Sequence, residues 1–229
     1  MSGPPVVLLH GIATSAARTW GENGWIDLLR DAGREVVAID LLGHGDAPKP
    51  HDPAAYDALE QHVADLLPDG PVDVIGFSLG ARTTLALAID RPARFRRIVV
   101  AGVGANLFEI DETRHEAIRR GLAGDPDPDD RTSSYFAQLA DSPEIDRTAL
   151  AALLRRRNPW PVTVEGLARV TAPTLVVLGE QDFAMPGEPL VEALPDATYL
   201  QLRKADHFSI VKDFRFIDAA LGFLDALPV

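Results

Sequence analysis

The chain has 229 residues, 46% of them hydrophobic, and no cysteine; it can bury one core of the size usual in α/β proteins, and disulfides, cysteine nucleophiles and thiolate metal sites are excluded. Its formal charge of −12 is the opposite of the basic surface that nucleic acids and anionic membranes require, so neither is expected as a partner. The absence of cysteine fits a reducing, cytoplasmic setting.

The opening stretch MSGPPVVLLHGIATS has no basic n-region and only a short apolar run, which predicts a strand and not a signal peptide. No run approaches the roughly 18 apolar residues of a membrane span. PVVLLHG (5–11), EVVAIDLLG (35–43), VDVIGFS (72–78), RIVVAGVG (97–104), PTLVVLGEQD (173–182) and ATYLQLRKADH (197–207) each hold a short apolar run. Branched residues without polar alternation suit strands covered on both faces, as in a parallel sheet.

Helical stripes lie between these runs. One holds Trp25, Ile26, Leu28 and Leu29, and a second Leu59, Val63, Leu66 and Leu67. A third, through Leu79, Leu85 and Ile89, stops at Arg91-Pro92, and a last one runs from Phe216 to Leu224. Strand and helix alternate as in a doubly wound, mostly parallel α/β sheet of about six strands. The alternation is interrupted over 106–170, where patterns near 111–122, 132–140 and 146–157 predict a helical cap between two core segments, 1–105 and 171–229. Such insertions often cover active sites. Within it, DPDPDD at 125–130 lacks the glycine and distal glutamate of a calcium loop and predicts a solvated turn.

In VDVIGFSLGART, Ser78 stands between Gly76 and Gly80, where a strand gives way to a helix. Such a turn lies at the carboxyl edge of the sheet, and glycines two positions to either side relieve backbone crowding. This G-x-S-x-G elbow resembles that of the α/β-hydrolase fold family, and the resemblance spans nearly the whole chain. It implies a nucleophilic serine followed in chain order by an acid and a histidine. His207, in KADHFSI, is the histidine in the matching place, and Asp182 matches the acid in G-x-x-D. Glu180 and Asp206 are the alternatives for the acid, and His115 reads as a solvated helix residue.

The oxyanion of acyl transfer needs N–H donors. Leu79 begins the helix after the elbow, where the helix dipole favours an anion. The family's H-G-x segment, matched by His10-Gly11-Ile12, nominates Ile12 as the second donor, with His10 as a loop brace. DLLGHGDA (40–47) is similar to the family's D-x-x-G-H-G-x-S loop, with Ala47 where serine is common and His44 as a structural residue.

Phe77, Phe108, Tyr135, Phe136, Trp160, Phe183 and Phe208 are candidates for a pocket around an apolar acyl or aryl group. Arg155, Arg156 and Arg157 either capture a substrate carboxylate or balance a helix C-terminus. The resemblance implies a serine hydrolase that needs no cofactor or metal and takes a small-molecule acyl substrate. Carboxylester hydrolysis is the favoured chemistry, with thioester, enol-lactone or carbon–carbon bond hydrolysis on the same toolkit, and a non-catalytic ligand sensor in another class. The family's N-terminal hairpin is missing, so an exposed strand edge predicts either a monomer or a homodimer paired across it.

Overall fold

The computed structural model describes residues 3–109 and 111–227. Six strands, β1 (Val6–Leu9), β2 (Val36–Ile39), β3 (Val72–Phe77), β4 (Phe95–Ala101), β5 (Thr174–Gly179) and β6 (Ala197–Leu202), form one sheet in the order β2-β1-β3-β4-β5-β6. Every neighbouring pair is parallel. β1 is flanked on both sides, so the open edges belong to β2 and β6.

Side chains alternate across the pleat, and both sets are apolar. Val7, Leu9, Val74, Val100 and Val176 face one layer of core. Val6, Leu8, Ile75, Val99 and Val177 face the other. Burying each such side chain contributes about 1.5–3 kcal/mol, which is why the centres of the inner strands read as apolar runs without polar alternation. Helices α1 (Trp25–Asp31) and α9 (Phe214–Phe223) cover the second face through Trp25, Leu29, Phe216 and Leu221. The first face is covered by α2 (Leu59–Leu66), α3 (Leu79–Asp90) and, beyond the cap, α8 (Glu188–Ala193), through Val63, Leu85 and Leu190.

Between β4 and β5 the chain forms α4 (Glu112–Ala123), α5 (Arg131–Ala140), α6 (Arg147–Leu154) and the short α7 (Val164–Leu167). Each starts where a polar side chain accepts a hydrogen bond from the first turn: Asp111, Asp130, Asp146 and Thr163. The acidic run at 125–130 is a turn leading to one of these caps, with Asp127 accepting from the Asp129 N–H. Leu122, Phe136, Leu150 and Leu153 pack on Ala13, Leu42, Tyr56 and Leu59, fixing the helices over the carboxyl ends of the strands. Arg156 fastens the end of α6 to α2 by a bidentate, buried ion pair with Glu60, at 2.9 and 3.0 Å.

At the opposite end of the sheet a charge is buried. Asp73 of β3 is fully buried; Arg34 donates to its Oδ2 and Arg96 to its Oδ1 at 2.8 Å. Arg34 also donates to the carbonyls of Pro4 and Leu224, tying both ends of the chain to the sheet. Among the described residues no helix is long and apolar enough to cross a membrane.

Candidate active site

β3 ends at Phe77 and α3 begins at Leu79, so Ser78 alone makes the turn, with φ 53° and ψ −111°. That backbone conformation is costly for a residue other than glycine and survives because its surroundings over-determine it. The flanking glycines allow two close approaches. A Cβ on Gly76 would lie 2.8 Å from the Ala81 backbone, and one on Gly80 would lie 2.2 Å from the Leu9 carbonyl oxygen.

Ser78 Oγ lies 3.1 Å from His207 Nε2, and His207 Nδ1 lies 3.0 and 3.1 Å from the two oxygens of Asp182. A carboxylate can only accept, so Nδ1 carries the proton and Nε2 is left to accept from the serine hydroxyl. Asp182 and His207 are 4% and 3% exposed. The Asp182 carboxylate is oriented by the turn after β5, where Oδ1 also accepts from the Ala184 N–H at 2.8 Å. The three residues form a relay that can take the hydroxyl proton. The other candidates lie elsewhere: Glu180 accepts from the Lys204 N–H, Asp206 closes a turn with Ser209, and His115 is exposed on α4.

Gly102, just after β4, was not singled out by sequence reasoning. At φ 73° a Cβ there would lie 2.8 Å from His207 Cε1, so the absence of a side chain makes room for the imidazole. Its one sequence signal is a glycine ending an apolar run.

The loop after β1 is braced by two buried histidines. His10 Nδ1 donates to the Gly11 carbonyl at 2.7 Å while its Nε2 accepts from the Leu41 N–H at 3.0 Å. His44 Nε2 accepts from the Ala13 N–H at 3.0 Å. The residues on either side of Ile12 are thus held in place, and Ile12 lines the cavity beside Ser78. Leu79 opens α3, so its N–H has no carbonyl four residues back within the helix.

Burial holds His10 down at about 4 and His44, which also faces His10, at about 3, against an ordinary 6.5. The unfolded chain protonates both near 6.5, so their contribution to stability is complete above that pH and is lost as the pH falls from 6.5 through 4. Two protons set a maximum slope of about 3 kcal/mol per pH unit. Urea unfolding between pH 7.5 and 4.5 is expected to show a steep fall in stability. The His44→Gln variant should lose about one proton from that dependence; an unchanged slope would refute the assignment.

A cavity of about 140 Å³ opens onto Ser78 and His207. Ile12, Phe77, Tyr135, Phe136, Leu139, Phe208 and Val211 form its apolar lining, and Thr14, Arg18, Thr19, Glu22, Asn23 and Lys212 its polar lining. Of the aromatic candidates, Phe108 and Trp160 pack against the core on one face of the sheet instead. Phe183 stacks on the His207 ring, with centroids 4.1 Å apart, and is not part of the lining. None of Arg155, Arg156 and Arg157 lines the cavity. The polar lining was missed because Arg18, Asn23 and Lys212 lie in segments with no motif of their own.

A family model described as "Alpha/beta hydrolase family" matches residues 6–219. The chain is 25% identical to 2-hydroxy-6-oxo-6-(2'-aminophenyl)hexa-2,4-dienoic acid hydrolase of Metapseudomonas resinovorans, over 97% of this chain and 84% of that protein. It is 29% identical to pimeloyl-(acyl-carrier protein) methyl ester esterase of Neisseria meningitidis serogroup A, over 88% of this chain and 70% of that protein. Among solved structures, the enol-lactonase from Burkholderia xenovorans LB400 superposes with a TM-score of 0.72 at 22% identity, covering 98% of this chain and 92% of that one. With a match running from β1 into α9, and a serine at the strand-to-helix turn where that fold presents its nucleophile, the chain belongs to the alpha/beta hydrolase family.

Proposed function

We propose that this hydrolase cleaves a small carboxylic ester through an acyl-enzyme on Ser78. The observation that carries this reading is the relay from Asp182 through His207 to Ser78, at 3.0 and 3.1 Å. His207 Nε2 takes the hydroxyl proton as Ser78 Oγ attacks the carbonyl carbon, and Asp182 holds the imidazolium that forms. The N–H groups of Ile12 and Leu79 receive the oxyanion. Protonated His207 then hands its proton to the leaving alkoxide, and a water activated by the same imidazole releases the acid. The small cavity, set beside the 300–1,000 Å³ common for ligand sites, favours short acyl and alcohol groups.

A second reading, hydrolysis of a carbon–carbon bond in a dienoic acid, is favoured by the Metapseudomonas relative and by the Lys212 cation in the lining, which suits a substrate carboxylate, whereas Arg18 is already paired with Glu144 at 2.9 Å. A side-by-side assay of p-nitrophenyl and methyl esters, acyl-CoA thioesters, enol lactones and ring-fission dienoates separates the two. The highest kcat/KM is expected on a short-chain ester. A dienoate exceeding every ester would replace the first reading by the second, and no turnover on any of them would leave a ligand-binding role.

A further inference from the structure

Each residue of the relay has a phenylalanine beside it in the chain: Phe77 before Ser78, Phe183 after Asp182 and Phe208 after His207. All three rings converge on the same imidazole. Phe183 stacks on it at 4.1 Å with 27° between the planes, Phe77 lies at 5.0 Å and 37°, and Phe208 meets it edge-on at 5.3 Å and 86°. Phe183 is itself held from the cap. The Arg114 guanidinium of α4 stands over its ring, 5.0 Å from the centroid, and Arg114 Nη1 donates to its carbonyl at 2.9 Å.

Two hydrogen bonds orient the imidazole in the resting state, but one of them is temporary. Once Ser78 Oγ is acylated it has no proton to donate, and Nε2 loses that partner at the stage when it must activate water. The χ2 torsion of histidine is broad and roughly two-fold, so Asp182 alone leaves the ring freedom to tilt. The Phe183 face stacked on the imidazole at 4.1 Å, with the Phe77 ring 5.0 Å away, restricts that tilt at every stage, and aromatic faces are also favourable surfaces for the transient imidazolium.

We propose that Phe183, clamped by Arg114, is a positioning residue that holds the His207 imidazole in register with Ser78 throughout turnover. The inference rests on Ser78 being the nucleophile. Stacked aromatic pairs contribute enough beyond simple burial to change a rate by about three- to tenfold.

The test compares the full-length wild type with Phe183→Leu, which keeps an apolar side chain and removes the ring, and Phe183→Tyr, which keeps the ring. Two readouts are taken: kcat and KM on the best ester, and the second-order rate of Ser78 modification by a fluorophosphonate, which needs no natural substrate. Phe183→Leu is expected to lower kcat and the modification rate by about three- to tenfold with KM unchanged or lower, and Phe183→Tyr to stay within about twofold of the wild type. If Phe183→Leu does not fold, Arg114→Met leaves the ring present but unclamped and should lower kcat in the same direction. A loss confined to KM, a loss that Phe183→Tyr shares in full, or wild-type rates in the folded leucine or methionine variant would overturn the proposal. Failure of the ester reading itself looks different, because a dienoate would then exceed every ester, and failure of Ser78 as the nucleophile would leave Ser78→Ala turning over substrate as fast as the wild type. A wild type that the fluorophosphonate does not modify would also end the inference.

Discussion

The Ser78→Ala variant loses about 10⁴ to 10⁶ in kcat on any ester that the wild type turns over. The expected loss is this large because, in the proposed mechanism, the hydroxyl, the imidazole 3.1 Å away and the carboxylate behind it act as a unit; removing the proposed nucleophile leaves the other two with nothing to activate. KM should change little, since the cavity walls and the Ile12 and Leu79 N–H groups are left as they were. The variant is expected to fold, because Ser78 makes no side-chain cap hydrogen bond to α3 and alanine keeps the same Cβ in the φ 53° turn. Steady-state kinetics on enzyme freed of host esterases measures the effect, with fluorophosphonate titration counting active sites. A reduction of less than tenfold would remove Ser78 from the mechanism and His207 from its role as the base.

Asp73→Asn is the corresponding result for stability. Asparagine keeps the shape and removes the charge, leaving the Arg34 guanidinium, 2% exposed, without its counter-ion. Breaking a buried pair from one side costs about 3–5 kcal/mol, a large part of the 5–15 kcal/mol typical of a folded domain. Urea unfolding is expected to show a midpoint lowered accordingly with an unchanged m-value. Activity per folded molecule should be retained, because Asp73 lies five residues before Ser78 along an extended strand, roughly 16 Å away at the usual rise. A midpoint within experimental error of the wild type would overturn the assignment, meaning that water entering beside Arg96, 36% exposed, already solvates the guanidinium groups and that the pair contributes nothing.

The inner strands β1, β3 and β5 were legible because each is buried along its whole length, a condition that selects the same branched residues whichever neighbour lies beyond; the edge strand β6, with Thr198 and Gln201 exposed, was legible from its shorter alternating run. The helices α4, α5 and α6 were legible from their stripes, and their starts were written locally in Asp111, Asp130 and Asp146, which accept from N–H groups two or three residues on. The elbow was partly local: Gly76 meets atoms of Ala81 and Thr84 that the strand-turn-helix geometry brings to it, whereas Gly80 clears the Leu9 carbonyl of the neighbouring strand β1. Apart from that clearance, these features depend on contacts within one element or on a fixed local geometry, and chain order carries both.

What chain order does not carry is which distant groups meet. His207 and Ser78 are 129 positions apart, and only the resemblance to a family nominated them together. Phe108 and Trp160 read in the sequence just as Tyr135 and Phe136 do, because all four are aromatic residues in or beside helical segments. Packing of the cap over the carboxyl ends of the strands sent the second pair to the cavity and the first to the core. Asp73 has no local reason to stand in a buried strand; Arg34 and Arg96, from other elements, supply it. Gly102 looked like the end of a strand until the imidazole was found to occupy the space where its side chain would be. Apolar burial is non-directional and legible as a pattern, whereas ion pairs, ring stacking and steric clearance are short-ranged and need both partners in place.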